Sequence, residues 1–212
     1  MRNRTENQIN MVLIRHGMTI SNEMKRYLGK GDEALSEAGK EGLILKNDKG
    51  SYPGSDYLYT SPMKRCLQTA DLLYPELTPK VIGEWGEIDF GRFEGKSFQE
   101  LSGDKVYREW IESNGVLAFP EGESREAFIC RCCVGMNRML RELEAIMKED
   151  ISPIKPVPAV ACILHGGSIM ALLSSYGAGD YFDYQCGNGA GYLCRLRWMD
   201  SMKPDIEILR KL

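Results

Sequence analysis

An α/β fold is what this sequence predicts: a three-layer α/β/α sandwich with an open, mostly parallel sheet and a small lid of loops and short helices. Two observations carry the expectation. Short continuous apolar runs at residues 11–14 and 159–164 break off abruptly, at Arg15-His16-Gly17 and at His165-Gly166-Gly167. Runs of that kind read as strands buried on both faces and leading into loops. Strand-like and helix-like segments also alternate along the chain, which puts helices on both faces of one sheet.

The remaining elements follow in order. Residues 36–46 read as a helix with Ser36 as N-cap and with Leu43 and Ile44 on one face. Residues 56–59 form a second strand. Ser61-Pro62 then opens a helix, serine as N-cap and proline in the first helical position, which runs to a stop before Pro75. Residues 80–82 give a third short strand. Residues 84–123 are irregular and aromatic, with Trp85, Phe90, Phe93, Phe98, Tyr107, Trp110 and Phe119, and form the expected lid. A long helix covers 124–148 with Ser124 as N-cap. Pro153, Pro156 and Pro158 make a rigid connector into the strand at 159–164. A helix at 168–175 follows, and an alternating strand at 192–198 pairs with 206–209. The whole, residues 1–212, reads as a single domain.

Composition narrows the function. With 43% hydrophobic and 27% charged residues, 212 residues can bury a core without disulfides or metals. A net charge of −3 gives no electrostatic footprint for nucleic acid. No apolar run approaches the roughly 20 residues that span a bilayer. The polar start carries no signal-peptide stretch, so no membrane partner and a cytoplasmic location are expected. The seven cysteines are odd in number and scattered, unlike a secreted disulfide framework. Cys130 and Cys133 form a lone C-x-x-C in a helical stretch with no second pair, and are read as reduced side chains rather than a zinc or redox site. No metal motif or nucleotide-binding loop is present, and no cofactor is expected. Oligomeric state is not legible.

In open α/β sheets ligands bind beyond the carboxyl ends of the strands. The first strand delivers Arg15, His16 and Gly17 to that edge. The second delivers Thr60 and Ser61, with Arg65 in the following helical turn. The strand at 159–164 delivers His165 and Gly166. Both histidines of the chain and two arginines thus converge from independent strands. Each alone has an ordinary structural explanation; together they suit phosphate. Arginines offer forked, permanently charged donors, helix N-termini offer free N–H groups, and a neutral imidazole is a competent nucleophile. Spacing alone leaves Glu87 open between a surface carboxylate and a site residue.

Arg15-His16-Gly17-Met18-Thr19-Ile20-Ser21-Asn22 resembles the R-H-G-x-T-x-x-N signature of the histidine phosphatase superfamily, in its phosphoglycerate mutase-like branch. The likeness continues through Tyr27-Leu28-Gly29, Leu35-Ser36-Glu37-Ala38-Gly39 and Thr60-Ser61-Pro62-Met63-Lys64-Arg65. It reaches Glu87-Ile88-Asp89-Phe90-Gly91, Pro120-Glu121-Gly122-Glu123-Ser124 and Leu164-His165-Gly166-Gly167, in family order. The resemblance implies a metal-independent phosphoric monoester hydrolase. His16 would accept the phosphoryl group. Arg15, Arg65 and His165 would hold its oxygens with Asn22 assisting, and Gly17, Gly29 and Gly166 would line the site. Glu87 would protonate the leaving oxygen and then activate water. The partner implied is a small-molecule phosphate ester, with α-ribazole 5′-phosphate as a candidate. A mutase and a catalytically inactive binding relative are the alternatives. Phe93, Met170 and Glu41 depart from common family residues and bear on substrate identity. His165-Gly166-Gly167 as an esterase oxyanion loop is set aside, because no G-x-S-x-G occurs.

Overall fold

The computed structural model describes residues 7–149, 157–199 and 203–212. In chain order the strands and helices are β1 (Asn7–Arg15), α1 (Ile20–Glu23), α2 (Glu37–Asp48), β2 (Tyr57–Thr60), α3 (Lys64–Leu73) and β3 (Lys80–Val81). Then come α4 (Phe98–Leu101), α5 (Lys105–Glu112), α6 (Arg125–Glu149), β4 (Ala159–Leu164), α7 (Gly166–Tyr176), β5 (Gly191–Trp198) and β6 (Asp205–Lys211). Single 3₁₀ turns occupy Gly83–Trp85, Gly91–Phe93 and Tyr181–Tyr184.

One six-stranded sheet runs β3-β2-β4-β1-β5-β6. Its first four strands are mutually parallel, and β5 and β6 close it antiparallel. The apolar runs are continuous because both faces of the central strands are covered. Met11 and Leu13 of β1, with Val160, Cys162 and Leu164 of β4, enter the core beneath α6 and α7. Val12, Ile14, Ala161 and Ile163 enter a second core beneath α2 and α3. Truncating any one of the larger of these to alanine destabilises by about 2–5 kcal/mol. By contrast β5 alternates: Tyr192, Cys194, Leu196 and Trp198 are buried, while Arg195 and Arg197 pair with Glu207 on the edge strand.

Ser36 caps α2, its hydroxyl accepting from Gly39 N at 3.0 Å. Ser124 caps α6, accepting from Ala127 N at 3.1 Å. Two local expectations are corrected. α3 begins at Lys64 with Met63 as N-cap and no side-chain cap; the Ser61 hydroxyl stands two residues earlier, where it accepts from Met63 N at 3.4 Å. On α2 Leu43 is buried together with Gly39, but Ile44 is 45% exposed, since the core-facing stripe of this helix is narrow. Pro153 and Pro156 of the expected connector lie outside the described residues. The aromatic segment after β3 is packed through its rings. Phe93 meets Tyr107 at 5.1 Å and Phe119 at 5.9 Å, and Phe90 meets Phe119 at 5.0 Å, all edge-to-face. Among the described residues no helix is long and apolar enough to cross a membrane.

Candidate active site

The strand ends meet as the topology requires. β1 and β4 are parallel neighbours, so Arg15 and Leu164 are in register. His16 N donates to Leu164 O at 2.9 Å, which brings the two histidine-bearing loops side by side. The rings of His16 and His165 lie 5.1 Å apart, edge to face. Both side chains are buried, as is Arg65.

His16 Nδ1 is 2.7 Å from the carbonyl oxygen of Gly17. A carbonyl only accepts, so Nδ1 carries the proton and Nε2 is left with its lone pair. Burial, then Arg65 and Arg15, hold the imidazole well below its ordinary 6.5, in the neutral form. His165 is depressed in the same way by burial, His16 and both arginines. Its Nε2 is 2.7 Å from Ser61 Oγ, which also accepts from Met63 N at 3.4 Å. Cys66 Sγ lies 3.6 Å from the same nitrogen, and burial pushes this thiol up to about 12, so it remains a neutral neighbour.

The arginines are held by backbone. Arg15 Nη1 donates to Cys186 O at 2.7 Å. Arg65 donates to Gly31 O at 2.8 Å and Gly29 O at 2.9 Å. The N–H groups of the same two glycines donate to Glu94 at 2.9–3.0 Å. The 29–31 turn is thus fixed on one side by a carboxylate and on the other by the guanidinium. Gly29 also needs its missing side chain, because a Cβ there would fall 2.2 Å from Ile88 O. The Nε atoms of Arg15 and Arg65 are buried and have no hydrogen-bond partner among the described residues. Two buried, charged donors left unpaired this way are costly unless an anion meets them.

Glu87 sits on the loop after Trp85. Its Oε1 accepts from Ile88 N at 2.9 Å, and a Cβ at Gly167 would fall 2.6 Å from that oxygen. The glycine is what lets the carboxyl approach α7. Burial raises the Glu87 carboxyl above its ordinary 4.5, against the pull of the Ile88 N–H, Arg65 and Arg15. Gly166 opens α7, where first-turn N–H groups have no intrahelical partner, and a Cβ on it would stand 3.5 Å from the Arg15 guanidinium.

Of the residues expected at the site, His16, Arg15, Arg65, His165, Glu87 and Gly166 form this cluster. Gly17 and Gly29 lie beside it, but their N–H groups are taken by Thr69 Oγ1 and Glu94. Asn22 closes the turn of α1 with Thr19, and its carboxamide oxygen accepts from Asn188. Its NH₂ is therefore the group left to donate. Two contributors went unread in the sequence. Asn188 Nδ2 reaches His16 O, Gly17 O and Asn22 Oδ1 at 3.0–3.3 Å. Arg131, on α6, holds the carbonyls of Glu84, Gly86 and Glu87 and pairs with Glu123 at 2.7 Å.

Two cavities border Glu87. One, of about 320 Å³, is mostly aromatic and also touches Arg15 and Gly166. The other has the charged groups Lys30, Asp89, Glu123 and Arg131 in its wall beside Pro62 and Met63. Among the described residues no three His, Cys, Asp or Glu side chains gather as metal ligands would.

A family model described as the histidine phosphatase superfamily (branch 1) matches residues 11–200. The chain is 30% identical over 169 residues to phosphoserine phosphatase 1 of Hydrogenobacter thermophilus, covering 74% of this chain and 77% of that protein. It is 26% identical over 193 residues to a 2,3-bisphosphoglycerate-dependent phosphoglycerate mutase of Wigglesworthia glossinidia brevipalpis, covering 78% and 81%. Against a bifunctional protein of Mycobacterium tuberculosis the identity is 27% over 157 residues, 69% of this chain but only 42% of that protein's length. The alpha-ribazole phosphatase of Shigella flexneri has the same fold, with a TM-score of 0.71 at 20% identity over 95% of this chain and 96% of that one. The strand-end histidines and arginines fall inside the matched span, and the chain belongs to branch 1 of the histidine phosphatase superfamily.

Proposed function

We propose that the protein hydrolyses small phosphate monoesters through a phosphohistidine on His16. One observation carries this reading: a buried, neutral imidazole with Nδ1 bonded to Gly17 O and Nε2 unprotonated, beside two arginines whose Nε donors have no partner among the described residues.

In the first half-reaction Nε2 attacks phosphorus, the Nε2–P bond forms and the ester P–O bond breaks. Glu87, whose carboxyl burial raises above its ordinary 4.5, gives its proton to the leaving oxygen, which departs as an alcohol. Arg15 and Arg65 offset charge on the transferring group, and His165 and Asn22 supply further donors. The Gly17 carbonyl stabilises the positive charge that develops on the imidazole. In the second half-reaction water attacks phosphorus, the Nε2–P bond breaks, and the ionised Glu87 takes the water proton. The cavity that Glu87 shares with Lys30, Asp89, Glu123 and Arg131 would give water a route to that carboxyl. The machinery is metal-independent, since the two guanidinium groups supply the positive charge. Candidate esters are α-ribazole 5′-phosphate, on the sequence blocks, and phosphoserine, named for the Hydrogenobacter relative.

The test is rapid acid-free quenching during turnover of a ³²P-labelled ester. A base-stable, acid-labile label should appear on the wild type and be absent from His16→Ala, which should also lose turnover. Full activity in His16→Ala would refute the mechanism.

A further inference from the structure

The aromatic cavity has a composition that the phosphate chemistry does not require. Besides Arg15 and Glu87, its wall is Tyr27, Phe90, Trp110, Phe119, Met170 and Phe182 with few polar groups. Glu87, the group expected to protonate the leaving oxygen, borders it, so this is where the alcohol part of an ester would lie. One further cation is in the wall: Arg125, in the first turn of α6. Its guanidinium lies over the rings of Tyr181 at 5.4 Å and Phe182 at 5.6 Å, and one Nη donates to Asn114 O at 3.1 Å. It makes no ion pair among the described residues. The Tyr181 hydroxyl in turn donates to Gly167 O at 3.5 Å, so the ring under Arg125 is tied to the glycine against which Glu87 packs.

A half-buried guanidinium within 5.4–5.6 Å of two ring centroids, with no carboxylate partner among the described residues, is a ready partner for an anion. The wall's other charged groups, Arg15 and Arg125, are both cationic, and burial holds the Glu87 carboxyl above its ordinary 4.5. Resting on the phosphatase reading above, we infer that the preferred substrates are phosphate esters of apolar, flat alcohols that carry a carboxylate, which Arg125 binds. Small polyol phosphates would leave the aromatic wall unfilled.

The test compares kcat/KM for glycerol 1-phosphate, benzyl phosphate and 4-carboxybenzyl phosphate. All three are esters of primary alkyl alcohols. Filling an apolar pocket discriminates by about tenfold or more, and an exposed-side carboxylate–arginine pair adds about three- to tenfold. The expected order is therefore glycerol 1-phosphate, then benzyl, then 4-carboxybenzyl. In Arg125→Gln the 4-carboxybenzyl to benzyl ratio should fall towards one, and in Arg125→Lys it should partly return. Phe182→Ala should lower the benzyl to glycerol ratio. Because each readout is a ratio within one variant, partial misfolding does not imitate it. Binding of benzylphosphonate and 4-carboxybenzylphosphonate, which cannot be hydrolysed, is measured in parallel by calorimetry. Hydrolysis of all three esters through His16 with no preference, or a ratio unmoved by Arg125→Gln, overturns this inference and leaves the phosphatase reading intact. Arg125-dependent phosphonate binding without any ester hydrolysis upholds the cavity assignment and overturns the phosphatase reading.

Discussion

Arg131 donates to the carbonyl oxygen of Glu87 at 3.0 Å from a helix 44 residues downstream. The same guanidinium holds Gly86 O and Glu84 O, and its other edge pairs with Glu123. A loop with little regular structure is thereby fixed to α6, and with it the direction of the Glu87 carboxyl.

Arg131 is therefore predicted to be a positioning residue. Arg131→Met should lower kcat for alkyl phosphates by about 10- to 100-fold, the effect of displacing a reacting group by a fraction of an ångström to 1 Å. Aryl phosphates, whose leaving oxygen needs little protonation, should be affected far less. Equal loss on both ester types would show that the substitution merely unfolds the site.

Glu87 itself gives a sharper split. Glu87→Gln should slow alkyl esters by about 10²- to 10⁴-fold, the range for a lost general acid. If aryl esters slow equally in the phosphorylation step, the acid is another group. Asp89 and Glu94 are poor substitutes: Asp89 is paired with Lys30 at 2.6 Å, and Glu94 accepts from Gly29 and Gly31.

The pH profile follows from the two shifts. Phosphorylation needs His16 neutral, and burial with the two arginines keeps it neutral to well below 6.5. It also needs Glu87 protonated, and burial extends that form above 4.5. The profile of kcat/KM should fall on the acid side below 6.5 as His16 gains a proton, and on the alkaline side as Glu87 loses one. Glu87→Gln should remove the alkaline limb. Stability carries the histidine sign as well. The unfolded chain binds protons at both histidines near 6.5 while the folded chain resists them, so the folded state loses stability as pH falls below 6.5. Thermal unfolding at pH 7.5 and 5.5 should show a smaller acid penalty in His16→Asn than in the wild type.

Chelation should leave the rate unchanged, because permanent guanidinium charge takes the place a metal fills in other phosphoryl transfers. Loss of activity in strong chelator that zinc or magnesium restores would contradict this.

Water is predicted to be the final acceptor. Supplied with 3-phosphoglycerate and a trace of the bisphosphorylated form, the enzyme should release orthophosphate and form negligible 2-phosphoglycerate. Isomerisation outpacing phosphate release would identify a mutase instead.

Much of this site was legible because it is built at strand ends. The runs at β1 and β4 announce buried parallel strands, and whatever follows such strands shares an edge. That reasoning reaches His16, Arg15 and His165 from the residues alone. Glu87 needed the family blocks, since nothing in a glycine-rich loop indicates which way a carboxylate turns. Arg131 was hidden for a related reason: in sequence it is one of several charges on a long helix, and only the fold shows that it faces three carbonyls. Asn188 lies in a Gly-Asn-Gly turn that reads as any turn, until the antiparallel pairing of β5 with β1 carries it onto the His16 carbonyl. Ser61 illustrates the opposite error. Ser-Pro is a sound helix-start signal, but Ser61 turns to the buried His165 ring and the helix takes Met63, two residues on, as its N-cap.

The double clamp on the 29–31 turn has a consequence for product release. Arg65 loses its rotamer freedom during folding, not when an anion arrives, so little ordering entropy opposes binding. Such a receptor recognises the terminal oxygens of a phosphoryl group and their charge, and orthophosphate displays these as well as any ester does. Free phosphate should therefore compete with substrate, and the enzyme should be throttled by its own product when phosphate accumulates.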